Sequence, residues 1–290
     1  MKPPAFKYFA AESVEEAVSL LAQHGDEAKV IAGGQSLVPM LNFRLLSPSV
    51  IVDINAIPGL DQIEDCNGGL KIGALTRHFS LETSQAVRKR FPVISAAMIH
   101  VAHLAIRNRG TIGGSLSHAD PAAELPTIAV LLDAKITVAR SGGERVIDAR
   151  GFFESALNSA LEDDEIVTQV EFPALPARTG WGFHEFTRRS GDFGLAGVAA
   201  TMTQSGKDAA NVRIALLGVD ETPIRAVEAE SLLNGNEFSM DGVRAAVESV
   251  RESIEPNTDL HASADYRRHL VGILTERALT SAWRRASSLN

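Results

Sequence analysis

The sequence predicts a protein of mixed helix and sheet, α/β or α+β, folded as two domains. Three observations carry that expectation. The first is size: 290 residues, 45% hydrophobic and 22% charged, give about two domains at ~150 residues each, with enough apolar content to exclude disorder as the main state. The second is pattern, because stretches with helical spacing alternate with short β-branched runs bounded by glycine. The third is a group of breakers, Pro173, Pro176 and Gly180, where one domain is expected to give way to the next.

The elements follow in order. Ser13 and Glu16 form a capping box, Val14, Ala17, Val18 and Leu21 recur at helical spacing, and Gly25 can end the helix. Lys29-Val30-Ile31 reads as a strand broken by Ala32-Gly33-Gly34-Gln35-Ser36, and Val50 to Ile54 as a second strand. Residues 61–76 predict a hairpin turned at Asn67-Gly68-Gly69. Residues 79–107 read as helical with a break near Pro92, followed by a second glycine loop, Arg109 to Ser115. Pro121 and Glu124 open an apolar helix to Leu132, and Lys135–Ala139 with Arg145–Ile147 form a strand pair turned at Gly142-Gly143. Beyond the boundary come strands at Gly197–Met202 and Val212–Leu217, then helices near 239–254 and 264–287. The last carries Arg267, Arg268, Arg277, Arg284 and Arg285, which read as a solvated basic face or as a contact for an acidic partner.

Charge and cysteine content exclude several functions. Lys plus Arg is 28 against 36 for Asp plus Glu, and this deficit of base argues against a nucleic-acid binder. The single cysteine, Cys66, can form neither an internal disulfide nor an iron–sulfur cluster. Glu12, Glu15 and Glu16 interrupt any signal-peptide core, and no run approaches the ~18 apolar residues of a membrane helix, so a cytoplasmic protein is expected. His100 and His103 lack an evident third metal ligand, and no nucleophile elbow occurs.

Four Gly-Gly pairs occur, and two of them read as hairpin turns. The other two sit in Ile31-Ala32-Gly33-Gly34-Gln35-Ser36 and in Thr111-Ile112-Gly113-Gly114-Ser115, beside hydroxyl and amide side chains. Glycine lets backbone approach a ligand, and consecutive N–H groups in such turns bind anions. The pair can hold the two phosphates of a pyrophosphate, or both can be plain tight turns. Neither fits the dinucleotide or P-loop pattern. Asp120 and Glu124 begin the apolar helix, where they offset the helix dipole or accept hydrogen bonds from a ribose or ring hydroxyl.

At these residues the sequence resembles the FAD-binding medium subunit of molybdenum hydroxylases, the xanthine dehydrogenase and carbon monoxide dehydrogenase family. The matching segments run along nearly the whole chain: A-G-G-Q-S at 32–36, L-V-P-M-L-N-F-R-L at 37–45, I-R-N-R-G-T-I-G-G-S at 106–115, H-A-D-P-A-A-E-L-P at 118–126, S-G-D-F at 190–193, T-P-I-R-A at 222–226 and H-A-S-A-D-Y-R-R-H-L at 261–270. The resemblance implies an α+β fold. A two-lobed PCMH-type FAD-binding domain, 1–176 (small lobe about 1–56, larger lobe about 57–176), would precede a C-terminal domain, 177–290, with an antiparallel sheet packed by helices.

It also implies non-covalent FAD, with the pyrophosphate on the two glycine loops. By position the cofactor residues would be Lys29, Val30, Ile31, Ala32, Gly33, Gly34, Gln35 and Ser36 in the first loop, and Thr111, Ile112, Gly113, Gly114 and Ser115 in the second. Asp120 would be a further cofactor residue, Glu124 an acid at the flavin and Val167 an apolar contact to the cofactor, while Asp192 and Phe193 would approach the ring. Many relatives carry a lysine where Thr187 or Glu185 aligns, whereas here the nearest cations are Arg188 and Arg189. The implied partners are a large molybdenum-cofactor subunit and a small 2Fe–2S subunit, assembled as a dimer of heterotrimers. The implied role is electron transfer from the clusters through FAD to an external acceptor. A self-sufficient flavin oxidoreductase and a flavin-free binding protein on the same fold are the other readings.

Overall fold

In a computed structural model describing residues 2–289, the first helix starts where its cap dictates. Strand β1 (Lys7–Ala10) leads to α1 (Val14–His24). Ser13 Oγ accepts the Glu16 N–H at 3.1 Å, and the Glu16 carboxylate accepts the Glu12 N–H at 2.8 Å. Gly25, at φ +55°, ends the helix. Strand β2 (Ala28–Ile31), helix α2 (Leu37–Asn42) and strand β3 (Val50–Asp53) complete a parallel sheet in the order β1-β3-β2. This small lobe buries Val18, Leu21, Val50 and Val52 together with Leu75, Ala139 and Ile166 from beyond it.

The larger lobe opens with the hairpin β4 (Ile63–Cys66) and β5 (Gly69–Gly73). Asn67 and Gly68 both take positive φ, +47° and +84°, the geometry that suits a two-residue hairpin turn to strand twist. Helices α3 (His78–Thr83), α4 (Gln85–Arg90), α5 (Pro92–Met98), α6 (Leu104–Arg107), α7 (Ile112–His118) and α8 (Glu124–Leu131) follow. Pro92 thus begins a helix instead of interrupting one, because the first helical position needs no N–H donor. Strands β6 (Lys135–Arg140), β7 (Gly143–Asp148), β8 (Phe153–Ser155), β9 (Asn158–Ser159) and β10 (Ile166–Phe172) close the lobe. The main sheet runs β4-β5-β10-β6-β7, antiparallel throughout, with the ladder irregular between Val167 and Gln169.

The rest is a second antiparallel sheet, β11 (Gly180–Phe186), β12 (Ala196–Ser205), β13 (Asp208–Leu217) and β14 (Ile224–Arg225), with helices α9 (Val227–Leu233), α10 (Met240–Glu252) and α11 (Ala264–Ser288). Its two faces bury different things. Phe183, Ala199, Ala215 and Leu217 join the core of the larger lobe, while Val198, Ala200, Ile214 and Leu216 pack with α9–α11. The class is α+β, as the resemblance implied. Strand β11 does not stand out in the sequence because Gly180 and Gly182 read as breakers; α11 lies against both, where a Cβ would meet the backbone of Ala282 or Ala278.

Two expectations need correction. The segment Arg109–Ser115 is not a loop throughout: Ile112 starts α7, with Thr111 as its cap. The arginines of α11 are not one solvated face either. Arg267 is 5% exposed and bonded inside the protein, and Arg285 lies 3.7 Å from the centre of the Trp181 ring and donates to Trp181 O, while Arg277 and Arg284 are exposed.

Candidate functional site

The first glycine loop leaves its backbone donors open. Beyond β2 the chain turns through Gly33 and Gly34, the latter at φ +70°. Among the described residues, the N–H groups of Gly33, Gly34, Gln35, Ser36 and Leu37 make no hydrogen bond within the protein. Gln35 Nε2 donates to Gly33 O at 2.8 Å and holds the turn. Ser36 caps α2 without a side-chain bond, so its hydroxyl is also open. Five successive unpaired N–H groups beside a cleft form a ready anion site.

The second glycine segment is the opposite. Ile112 N–H donates to Thr76 O (3.1 Å), Gly113 N–H to Ala74 O (2.8 Å), Gly114 N–H to Thr111 Oγ1 (3.2 Å) and Ser115 N–H to Thr111 O (3.0 Å). Its donors dock the helix onto the lobe. A Cβ at Gly113 would meet Ala74 Cβ at 2.6 Å, so that glycine serves close packing.

A polar brace, unmarked by any local sequence pattern, ties the two together. Asn55 Nδ2 donates to Ala32 O (2.7 Å), Arg77 Nη2 to Asn55 Oδ1 (2.8 Å) and Arg77 Nη1 to Arg109 O (2.5 Å). Gly33 rests directly on this second segment, since a Cβ there would collide with Arg109 O and lie 2.9 Å from Gly110 Cα. Beneath, the buried His78 binds Gly110 O through its backbone N–H and Thr111 O through Nε2, both at 3.0 Å. Burial is the main cause that pushes its imidazole down to about 4, so the ring is neutral near pH 7.

A cleft of about 1280 Å³ runs from these loops to the C-terminal sheet. Of the sequence-predicted residues, Lys29, Val30, Ala32, Gly33, Gly34, Gln35, Ser36, Thr111, Gly113, Gly114, Ser115, Asp120, Glu124, Val167, Asp192 and Phe193 line it. Two do not. Ile31 faces a smaller cavity of about 340 Å³ on the other side of the loop, and Ile112 is fully buried in the core.

At the far end, Asp120 Oδ1 accepts the Ala122 N–H at 2.9 Å and shapes the turn before α8. The S-G-D-F turn docks through Gly191, whose φ is +86° and whose Cβ would meet His103 at 2.8 Å. Phe193 stands beside it, 71% exposed. Two acids sit here. Burial pushes Glu124 up to about 7, its own backbone N–H opposes, and Asp120 adds to the rise. Burial also pushes Glu185 up to about 8, reinforced by the charge of Glu124. Both Glu185 oxygens are buried without a partner among the described residues, and like charges in one buried site do not both ionise. In the sequence Glu185 is marked only as an aligned position.

Comparison with known proteins agrees with this geometry. Residues 4–175 match the FAD binding domain in molybdopterin dehydrogenase, and residues 181–282 the CO dehydrogenase flavoprotein C-terminal domain. The chain is 45% identical over 288 residues to the 6-hydroxypseudooxynicotine dehydrogenase complex subunit alpha of Paenarthrobacter nicotinovorans, covering 99% of this chain and 97% of that one. It is 37% identical over 287 residues to the carbon monoxide dehydrogenase medium chain of Hydrogenophaga pseudoflava, covering 99% and 100%. A solved structure of carbon monoxide dehydrogenase from H. pseudoflava superposes with a TM-score of 0.97 at 39% identity, covering 98% of this chain and 99% of that one.

The donor set fits FAD: an anion nest at one end, an apolar and acidic wall at the other, and a cleft of about 1280 Å³ between them. The chain therefore belongs to the FAD-binding medium subunits of the molybdenum hydroxylase family, and is the flavoprotein component of an oxidoreductase.

Proposed function

We propose that the chain is the electron-transfer subunit of a molybdenum-containing hydroxylase or dehydrogenase, taking electrons from 2Fe–2S clusters on a partner subunit and passing them to an external acceptor. Bound FAD supplies the redox chemistry, accepting electrons singly and delivering them singly or in pairs. The observation that carries this reading is the run of unpaired N–H groups from Gly33 to Leu37 opening onto a cleft that ends at Asp192 and Phe193.

The chain's own groups then divide the work. The first loop holds the pyrophosphate, and Ser115 adds a hydroxyl from the second. Val167, 4% exposed, gives the cleft an apolar wall, and Phe193 covers the ring. Glu124 and Glu185, both pushed upward by burial, keep the negative charge low at the ring end. With one cysteine the chain cannot ligate the clusters, so they belong to a small partner subunit, and substrate turnover to a large molybdenum-cofactor subunit. A dimer of such heterotrimers in the cytoplasm, with the cofactor domain at 1–176 and the C-terminal domain at 177–290, completes the proposal.

The test is an absorption spectrum of the purified chain before and after incubation with FAD, with the released cofactor identified after denaturation. Stoichiometric, releasable FAD is expected, together with flavin reduction only when the cluster-bearing subunit is added. Flavin reduction by an organic substrate with the isolated chain would replace this reading with a self-sufficient oxidoreductase. No bound flavin, alone or with partners, would remove it.

A further inference from the structure

One buried cation at the cleft belongs to neither glycine loop. Arg267 lies in the first turn of α11, inside the H-A-S-A-D-Y-R-R-H-L segment, and is 5% exposed. Its guanidinium reaches three separate pieces of chain. Nη1 donates to Leu195 O at 2.5 Å and to Gly218 O at 2.9 Å, and Nη2 to Asp259 Oδ2 at 2.7 Å. Asp259 in turn fixes its own segment, because Oδ1 accepts the N–H groups of His261 (2.8 Å) and Ala262 (2.9 Å). Leu195, Gly218, Asp259 and Arg267 all line the cleft.

The linkage continues out of the C-terminal domain. Gly218, at φ +71°, donates its N–H to Pro121 O at 2.9 Å, and Pro121 belongs to the turn that precedes Glu124. The same glycine abuts the segment that Arg267 holds, since a Cβ on Gly218 would lie 2.8 Å from Gly194 O. Gly194 in turn covers Glu185, whose Oε1 lies 3.1 Å from where a Gly194 Cβ would be. Burying a guanidinium is costly unless its donors are used; here Nη1 and Nη2 are used by two carbonyls and a carboxylate, while Nε is buried without a partner among the described residues. A fork bridging two carbonyls and a carboxylate requires arginine geometry, which the compact ammonium of lysine does not reproduce.

We propose that Arg267 is a positioning residue: it fixes the Gly194–Leu195 and Gly218 wall against the turn at Pro121, and so sets the ring end of the cofactor cleft from the C-terminal domain. It acts through the backbone it holds. The inference rests on the FAD reading above, which places the ring at this end and the pyrophosphate at the glycine loops.

The two ends can be tested separately, because ADP carries the adenosine and pyrophosphate of FAD but no ring. Binding of FAD and of ADP to the apo full-length chain would be measured by titration calorimetry, with thermal melting and the visible circular dichroism of bound flavin alongside. For Arg267→Met, FAD affinity is expected to fall about tenfold or more while ADP affinity stays within about twofold. The flavin dichroism should change, and Arg267→Lys should restore only part of the affinity. Asp259→Asn keeps the two carbonyl bonds but takes the counter-charge from the buried guanidinium, and should reproduce the ring-selective loss more weakly. This variant decides the matter if Arg267→Met does not fold. Equal losses of FAD and ADP, or unchanged FAD affinity and dichroism, would overturn the inference. A wild-type chain that binds neither ligand would instead overturn the FAD reading itself.

Discussion

The two glycine segments look alike in sequence and do different work. Gly33-Gly34 opens a run of five unspent donors, Gly33 to Leu37, while Gly113-Gly114 sits in the first turn of a helix whose donors are bonded to Ala74, Thr76 and Thr111. The first is a binding surface. The second is a foundation on which the first rests, through Gly33 against Arg109 and through the Asn55–Arg77 brace. A Gly-Gly pair therefore does not reveal its role; what its N–H groups already bind does.

Substitutions can break or sharpen this contrast. The largest effect is expected at the contact between the segments. Gly33→Val forces a branched side chain into the Arg109 carbonyl, which must push the loops apart, and FAD affinity should fall by about a hundredfold or more in a fluorescence titration. A variant with unchanged flavin content would show that the loops do not need this approach.

Next comes a matched pair. Thr111→Val removes the Oγ1 cap on Gly114 and should cost about 1 kcal/mol of stability by denaturant unfolding. Ser36→Ala removes a hydroxyl with no partner among the described residues, and should leave stability within about 0.5 kcal/mol while weakening FAD binding several-fold. If the two variants exchange these signatures, the division between foundation and binding surface is wrong.

Both segments bind through backbone groups that do not titrate in this range, so their contribution is flat with pH. The acid pair is not. Folded-state values raised to about 7 for Glu124 and about 8 for Glu185 mean that the folded chain keeps protons the unfolded chain has released. Stability is then fully present below the ordinary carboxylate range and declines as pH rises through those values. The slope approaches ~1.4 kcal/mol per pH unit for each proton concerned. Melting of the apo chain between pH 5 and 9 should show this decline, and Glu185→Gln should flatten it. An equally steep wild-type and variant profile would locate the proton elsewhere. The smallest effect is expected for Phe193→Ala, which should loosen the ring and change flavin fluorescence while reducing affinity only a few-fold.

Much of this was readable from local signals. Ser13 with Glu16, the Asn67-Gly68 turn and the Glu124 helix start each depend on neighbours within a few residues, and each appears where the pattern put it. What stayed hidden depends on distant partners. Nothing near Asn55 or Arg77 announces that they brace two loops, because the bonds span sequence separations of 22 to 32 residues. Arg267 reads as one of several arginines on a helix until Leu195 and Gly218 arrive beneath it. The pairing of the Ile112 and Gly113 donors is unreadable for the same reason, since Thr76 and Ala74 are supplied by another strand-to-helix turn.

The shared core of the small lobe limits how far the two lobes can move apart. Leu75, Ala139 and Ile166 belong to the larger lobe yet are packed inside the core of the smaller one. Swinging the lobes apart about a hinge would expose that apolar surface to water, at roughly 25 cal/mol for each Å² uncovered. The two lobes are thereby held by packing they share, and a motion between them is opposed in proportion to the apolar surface it uncovers.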